Sequence, residues 1–211
     1  MKAQSTKLIG AMAALTTALT AGCGEVARNG RAPAMAVIQV IEAASGAEPD
    51  EFGTLLNSDV LTLVTVTIDG DEVRVPTIYS DNGRVTMRLQ LRDPGIPGVP
   101  SAPSTMNDVT FTRYRVTYRR ADGRNTPGVD VPYPFDSGIA FTVPADGTAT
   151  AGFVVVRHTA KEEAPLGSLV TSRTIISTIA EVTFFGHDQA GNEVIATGNI
   201  GVFFGNFGDP D

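Results

Sequence analysis

The chain has 211 residues, a net charge of −7 and one cysteine. That length gives one large domain or two small ones, with enough core to fold unaided. An acidic balance argues against nucleic acid, whose binding needs a basic footprint, and a lone cysteine excludes an internal disulfide.

Lys2 and Lys7 precede an uncharged run from Leu8 to Thr20, rich in Ala, Leu and Thr. A membrane span needs roughly twenty apolar residues, so this shorter run suits the apolar region of a signal peptide. It closes on Leu19-Thr20-Ala21-Gly22-Cys23. Small residues directly before a cysteine resemble the lipobox of bacterial lipoproteins, with Thr20 where that pattern prefers Leu. The resemblance implies removal of residues 1–22, a diacylglyceryl thioether on Cys23 and acylation of the new N-terminus. A thiolate is the nucleophile such chemistry requires, and two or more acyl chains make a stable anchor. Ordinary secretory cleavage with a free thiol is the competing reading. Gly24 rather than Asp follows the cysteine, which in the family's sorting rule implies the outer membrane.

Cleavage removes two cations, so 16 basic against 23 acidic residues become 14 against 23, a net −9. Such a body is repelled by anionic lipid, so the expected membrane contact is the covalent anchor. Lys161 is then the only lysine left. Arginine abundance reads as compositional bias rather than as a site. No later stretch is long or apolar enough to span a bilayer, so the body is expected to be soluble.

Residues 23–34 read as a lipidated tether, and 35–211 as one β-sandwich domain. Ala34 to Ala44 is the first expected strand. Gly46 to Ser58 reads as an acidic loop, with one helical turn near Phe52 to Leu56. Asp59 to Ile68 alternates with a period of two and predicts a half-buried strand. Asp69-Gly70 predicts a hairpin turn, and Pro76 marks the returning strand as an edge strand or the site of a bulge. Asp81-Asn82-Gly83 reads as another turn. Val85, Met87, Leu89 and Leu91 then alternate with polar residues as the cleanest strand.

Asp93 to Asn107 holds four prolines and two glycines and predicts a long surface loop. In Asp108 to Arg120 the apolar phase slips between Phe111 and Tyr114, which predicts a bulge near Thr112 or Arg113. Ala121-Asp122-Gly123 turns the chain into a second Pro-rich loop, Arg124 to Gly138. Ile139 to Val143 and Phe153 to His158 are short strands around an Asp146-Gly147 turn. Thr159 to Ser172 reads as a polar connection. Two long strands close the chain, their apolar faces carried by Ile176, Ala180, Val182 and Phe184 and by Ile200, Val202 and Phe204. In the turn between them, Asp188 is placed to bond its own amides and Gly191 to take a positive φ.

The Asp188-Gln189-Ala190-Gly191-Asn192 turn resembles the last hairpin of bacterial immunoglobulin-like domains. Tyr114-Arg115-Val116-Thr117-Tyr118 is similar to a central strand of fibronectin type III modules. The expected class is therefore all-β: an immunoglobulin-like antiparallel sandwich of about nine strands with long Pro/Gly-rich loops, behind an N-terminal signal helix. The chain departs from those modules in having no tryptophan and no cysteine pair to pin the core.

No phosphate loop, nucleophile elbow or zinc motif occurs. His158 and His187 are candidates for a metal ligand or a general base, each more simply a strand-end histidine. Acidic turns at 69–72, 81–83, 188–193 and 209–211 offer oxygens to calcium, but none matches the twelve-residue loop, and Asp-Gly turns need no metal. The most distinctive loop is Gly128 to Asp136. Its Tyr133 and Phe135, set between prolines and flanked by Asp130 and Asp136, form either a stiffened binding surface or plugs over the core. Asp130 and Asp136 are also the carboxylates a glycoside hydrolase would need. Arg113, Arg115, Arg119, Arg120 and Arg124 form a basic stripe, either for an acidic envelope component or a solvated face with acidic partners.

These readings predict a lipid-anchored envelope protein with a protein or glycan partner in the envelope, without enzymatic activity, cofactor, metal or nucleic-acid partner. A carbohydrate-binding or carbohydrate-active sandwich is the first alternative. A filament or surface-layer subunit pairing through Met35 to Ile41 is the second.

Overall fold

A computed structural model describes residues 31–207. The signal peptide and its helix, Cys23 and most of the tether fall outside the described residues, as does the acidic turn at 209–211. In chain order the strands are β1 (Ala34–Ala44), β2 (Leu55–Asp59), β3 (Thr62–Ile68), β4 (Asp71–Thr77), β5 (Asp81–Leu91), β6 (Gly95–Ile96), β7 (Val99–Pro100), β8 (Val109–Arg119), β9 (Phe135–Val143), β10 (Thr148–Val156), β11 (Ile176–Asp188) and β12 (Glu193–Gly205). One five-residue helix, α1 (His158–Glu162), follows β10.

The chain is an all-β sandwich. One sheet has the order β1-β5-β10, the other β2-β12-β11-β8-β9. Alternation decides which face each strand buries. In β5, Val85, Met87 and Leu89 are buried while Arg84, Arg88 and Gln90 are exposed. In β11 and β12, Ala180, Val182, Phe184, Ile200, Val202 and Phe204 meet them from the opposite sheet. Each fully buried Val, Leu or Phe stabilises by roughly 1.5–3 kcal/mol, so this shared core carries the fold.

Two tyrosines pin the sheets together. Tyr118 Oη donates to Val155 O at 2.6 Å, and Val154 N–H donates to Tyr114 Oη at 3.0 Å. Both tyrosines lie on β8 and both partners on β10, so these bonds cross the sandwich. Burial, reinforced by the nearby Asp81 charge, pushes the Tyr118 hydroxyl far above its ordinary value.

The bulge expected near Thr112 or Arg113 is present: pairing with β9 shifts between Phe111 and Arg113, and with β11 between Phe185 and Gly186. The Asp69-Gly70 turn joins β3 to β4, with φ of +54° and +95°. Pro76 lies on β4, which pairs only with β3.

Several expectations are corrected. Residues 55–59 are a strand, not a helical turn: β2 pairs parallel to β12, Leu55 opposite Gly201 and Asp59 opposite Gly205. Asp81-Asn82-Gly83 is not a turn but the start of β5, paired with β1 on one side and β10 on the other. Gly83 permits this because a side chain there would collide with Phe153 and Val155. The loop after Arg124 ends early, since β9 begins at Phe135 opposite Val116. The connection at 159–172 contains α1 and a 3₁₀ turn over Leu166–Thr171. Beyond the nine or so strands expected, the described residues add β2 and the two-residue strands β6 and β7.

Asp81 is able to start a core strand because its charge is met inside the protein. Asp81 is 0% exposed and Lys161, on α1, is 1% exposed. Lys161 Nζ donates to Asp81 Oδ1 at 2.8 Å and to Asp59 O at 2.7 Å. Gly46 N–H also donates to Asp81 Oδ1, at 2.8 Å, and Ser58 Oγ donates to Oδ2 at 2.5 Å. Burial pushes the Asp81 carboxyl up, against the opposing pull of Lys161, Ser58 and the Gly46 amide. Removing one partner of such a pair strands a charge and typically costs 3–5 kcal/mol, whereas removing both costs far less. Lys161→Met is therefore expected to lose about 3–5 kcal/mol in urea denaturation. Adding Asp81→Leu is expected to restore part of that loss.

Candidate functional site

The stretch 124–134 folds back over the end of β8 and is braced by its own hydrogen bonds. Asp130 N–H and Val131 N–H donate to Thr126 O at 2.9 and 3.4 Å, and Gly128 N–H donates to Val131 O at 2.8 Å. Asp130 closes the loop, its Oδ2 accepting from Thr126 N–H at 3.2 Å. Val131 and Pro132 are buried. A recess of about 340 Å³ lies beneath, lined in part by Tyr118, Asn125, Pro127 and Pro134.

The two aromatics of this loop part company. Tyr133 is 52% exposed. Its ring lies across Gly128, which has a φ of +76° and no room for a side chain. Phe135 instead begins β9 and is buried. It meets Tyr114 edge to face at 6.2 Å, and the Arg157 guanidinium covers it at 4.6 Å. So Phe135 is a core plug, and Tyr133 is the aromatic left for contact.

Asp136 sits on the outer face of β9. Arg115 grips it with Nε and Nη2 at 3.0 and 2.8 Å, and Arg113 Nη1 adds a bond at 2.9 Å. The Arg115 guanidinium first, and Arg113 beside it, hold the Asp136 carboxyl below the usual range. Asp130 and Asp136 therefore answer to different partners, a loop amide and two arginines. A carboxylate held ionised in this way lacks the proton that a glycosidic acid must deliver.

Every arginine of the stripe has a carboxylate. Besides the Asp136 pairs, Arg119 meets Glu181 at 3.4 Å, and Arg120 and Arg124 share Asp122 at 2.6 and 2.9 Å. These are exposed pairs of small energetic weight. On the outer sheet face Arg113 also stacks over Phe185 at 4.0 Å. An open recess of about 490 Å³ adjoins that stack, lined by Thr112, Phe185, His187, Glu193 and Ile195 among others.

His187 Nδ1 lies 3.3 Å from Asp188 O. His158 Nδ1 lies 3.4 Å from Ser80 Oγ, and that oxygen also accepts the His158 amide at 3.0 Å, tying down the start of α1. Among the described residues, no group of three or more His, Cys, Asp or Glu is placed to hold a metal. Of the acidic turns considered for calcium, Asp81 is committed to Lys161. Asp188 is committed to its own turn: Oδ1 accepts from Ala190 N–H at 2.9 Å and Asn192 N–H at 2.8 Å, and Oδ2 from Asn192 Nδ2 at 2.8 Å. Gly191 has the positive φ of +81° expected there.

Sequence reasoning missed the buried centre around Asp81. Its one signal was Lys161, the sole lysine of an arginine-rich body. An ammonium is a compact point charge that fits between a carboxylate and a carbonyl, where a planar fork does not.

Burial works to raise the Asp188 carboxyl, but Asn192 and the turn amides outweigh it and hold it low. A depressed native value stabilises above the unfolded value of about 3.9 and loses that contribution as pH falls through the native one. Asp188→Ala is expected to cost about 2 kcal/mol at neutral pH. In chemical denaturation followed against pH, the gap between wild type and variant should close only on the acid side of the ordinary carboxylate range.

Comparison of the chain with protein-family models, with curated proteins and with solved structures finds no match in any of the three.

Proposed function

We propose that the chain is a lipid-anchored protein of the bacterial cell envelope, held through Cys23. Its immunoglobulin-like sandwich presents loops to another envelope component without catalysing a reaction. The observation that carries this reading is polarity. The described chain starts at one pole, where Ala34 pairs with Leu91. The β3–β4 hairpin and the Tyr133 loop leave from the other, beyond Asp81 and Arg119. An anchor before Arg31 would therefore enter the described domain at the pole opposite two projecting loops. Binding residues gather on such loops when a rigid scaffold positions them.

Strand order supports the immunoglobulin-like reading. The N-terminal strands divide between sheets, β1 beside β5 and β2 beside β12, with β2 parallel to the last strand. Next to the β11–β12 hairpin lie β8 and then β9, as in a variable-type sandwich with an added strand. Among the described residues, no helix is long and apolar enough to cross a membrane.

A second reading, sugar binding, is favoured by one observation: Tyr133 is exposed between Pro132 and Pro134, a stiff platform on which a sugar ring would stack.

Cell fractionation tests the anchor. Cys23→Ser is expected to move a folded protein from the membrane to the soluble fraction, and finding it still membrane-bound would overturn the reading. A glycan array tests the second reading: it holds if Tyr133→Ala abolishes binding shown by wild type, and falls if the two bind alike.

A further inference from the structure

The chain enters β1 and leaves β5 at one place. Arg92 N–H donates to Pro33 O at 2.9 Å, and Arg92 Nε donates to Ala32 O at 3.0 Å. The segment 93–107 therefore starts beside Arg31, the first described residue. Within it, β6 and β7 form a small hairpin with Gly95 opposite Pro100 and Ile96 opposite Val99. Gly95 N–H donates to Asp93 Oδ1 at 2.9 Å, and Ser101 N–H donates to Pro94 O at 3.1 Å. A side chain at Gly95 would strike the backbone of Val99 to Ser101. The tip is thus a built structure, closed by its own hydrogen bonds.

Its apolar side chains are turned outward. Ile96 and Val99 are 68% and 67% exposed, and Met106 is 59% exposed. Ile96 and Val99 face each other across the ladder, so they form a cross-strand pair rather than scattered surface residues. From Pro94 to Asn107 there is no charged side chain, in a chain with 39 basic and acidic residues. The other projecting hairpin, β3–β4, carries Asp69, Asp71, Glu72 and Arg74 about its tip. Both hairpins expose apolar side chains, Ile68 and Val73 on β3–β4 among them, but only β3–β4 sets charges beside them.

Tether length decides what faces the uncharged tip. Eight peptide steps lead from Cys23 to Arg31, a reach of at most about 29 Å. Strands of eleven residues extend about 36 Å, so an anchor at Cys23 holds the Arg31 pole near the bilayer and the opposite pole well away from it. We propose that the Ile96–Val99 tip, with Met106 beside it, enters the interfacial layer of the membrane and forms a second, non-covalent contact that orients the sandwich. This rests on the proposed anchor at Cys23. An uncharged apolar tip gains from burial at the interface without needing anionic lipid, which suits an acidic body.

The chain has no tryptophan, so one introduced indole reports its own surroundings. Ala102→Trp places it on the segment, and Val73→Trp places it on β4 at the far pole. Each full chain, purified from membranes and checked by mass for its acyl chains, is reconstituted into phosphatidylcholine vesicles with or without brominated acyl chains. The expected result is blue-shifted, bromine-quenched emission for Ala102→Trp and solvent-like, unquenched emission for Val73→Trp. Adding Ile96→Asp and Val99→Asp should abolish the quenching while leaving the protein vesicle-bound. Acylated, vesicle-bound protein with no quenching at position 102 would overturn the inference and leave the anchor standing. If the mass shows no acyl chain, the anchor reading fails on its own. The chain added to preformed vesicles then decides: quenching at 102 upholds membrane contact, and its absence overturns it.

Discussion

A lysine ammonium buried against a carboxylate holds together stretches that the sequence keeps far apart. Lys161 reaches from α1 to Asp81 on β5 and to the carbonyl of Asp59 on β2. Asp81 gathers Ser58 and the amide before the β3–β4 excursion. Asp59 extends the tie, its carboxylate accepting from Thr62 Oγ1 at 2.8 Å and Phe207 N–H at 3.0 Å. Desolvating two charges is expensive, and mutual attraction offsets it only when the remaining polar positions are also filled. Here the Gly46 amide, the Ser58 hydroxyl and the Asp59 carbonyl supply that further bonding. The pair contributes position: Asp-Asn-Gly has the local chemistry of a turn, and the buried pair together with the β1 and β10 ladders holds it extended.

What could be read from the residues follows from this. Strands with one wet face announce themselves by alternation, as β5, β11 and β12 do. The β8 bulge is legible because an extra residue shifts the apolar phase. The Asp188 turn is legible because its hydrogen bonds are local. β2 is not, since Leu-Leu-Asn-Ser-Asp has no period and owes its extended form to β12, some 145 residues away in sequence. Asp81 to Gly83 misleads for the same reason: local turn chemistry is overridden by partners at 46, 58 and 161. At the candidate site the aromatic pair was visible, but not its division. Phe135 is drawn inward by Tyr114 and Arg157, neither near it in sequence, while Tyr133 rests on Gly128 within its own loop.

The surface has a division of its own. The outer face of the five-stranded sheet is laced by arginine–carboxylate pairs that join β8 to β9 and β11. The poles differ more sharply. One is crowded with connections and bears the acidic β3–β4 hairpin and Tyr133. The other bears an uncharged, proline-stiffened tip beside the incoming chain. A sandwich with such unlike ends has a preferred orientation wherever one end is fixed.

The parallel pairing of β2 with β12 gives that orientation a mechanical meaning. Arg31 and Phe207, the first and last described residues, lie at opposite poles. A pull between them runs along the strands, so the β1–β5 and β2–β12 ladders are loaded in shear. Their hydrogen bonds must then fail together rather than peel one by one. Along this axis the described domain resists extension through whole ladders, while across it the same strands could separate one hydrogen bond at a time.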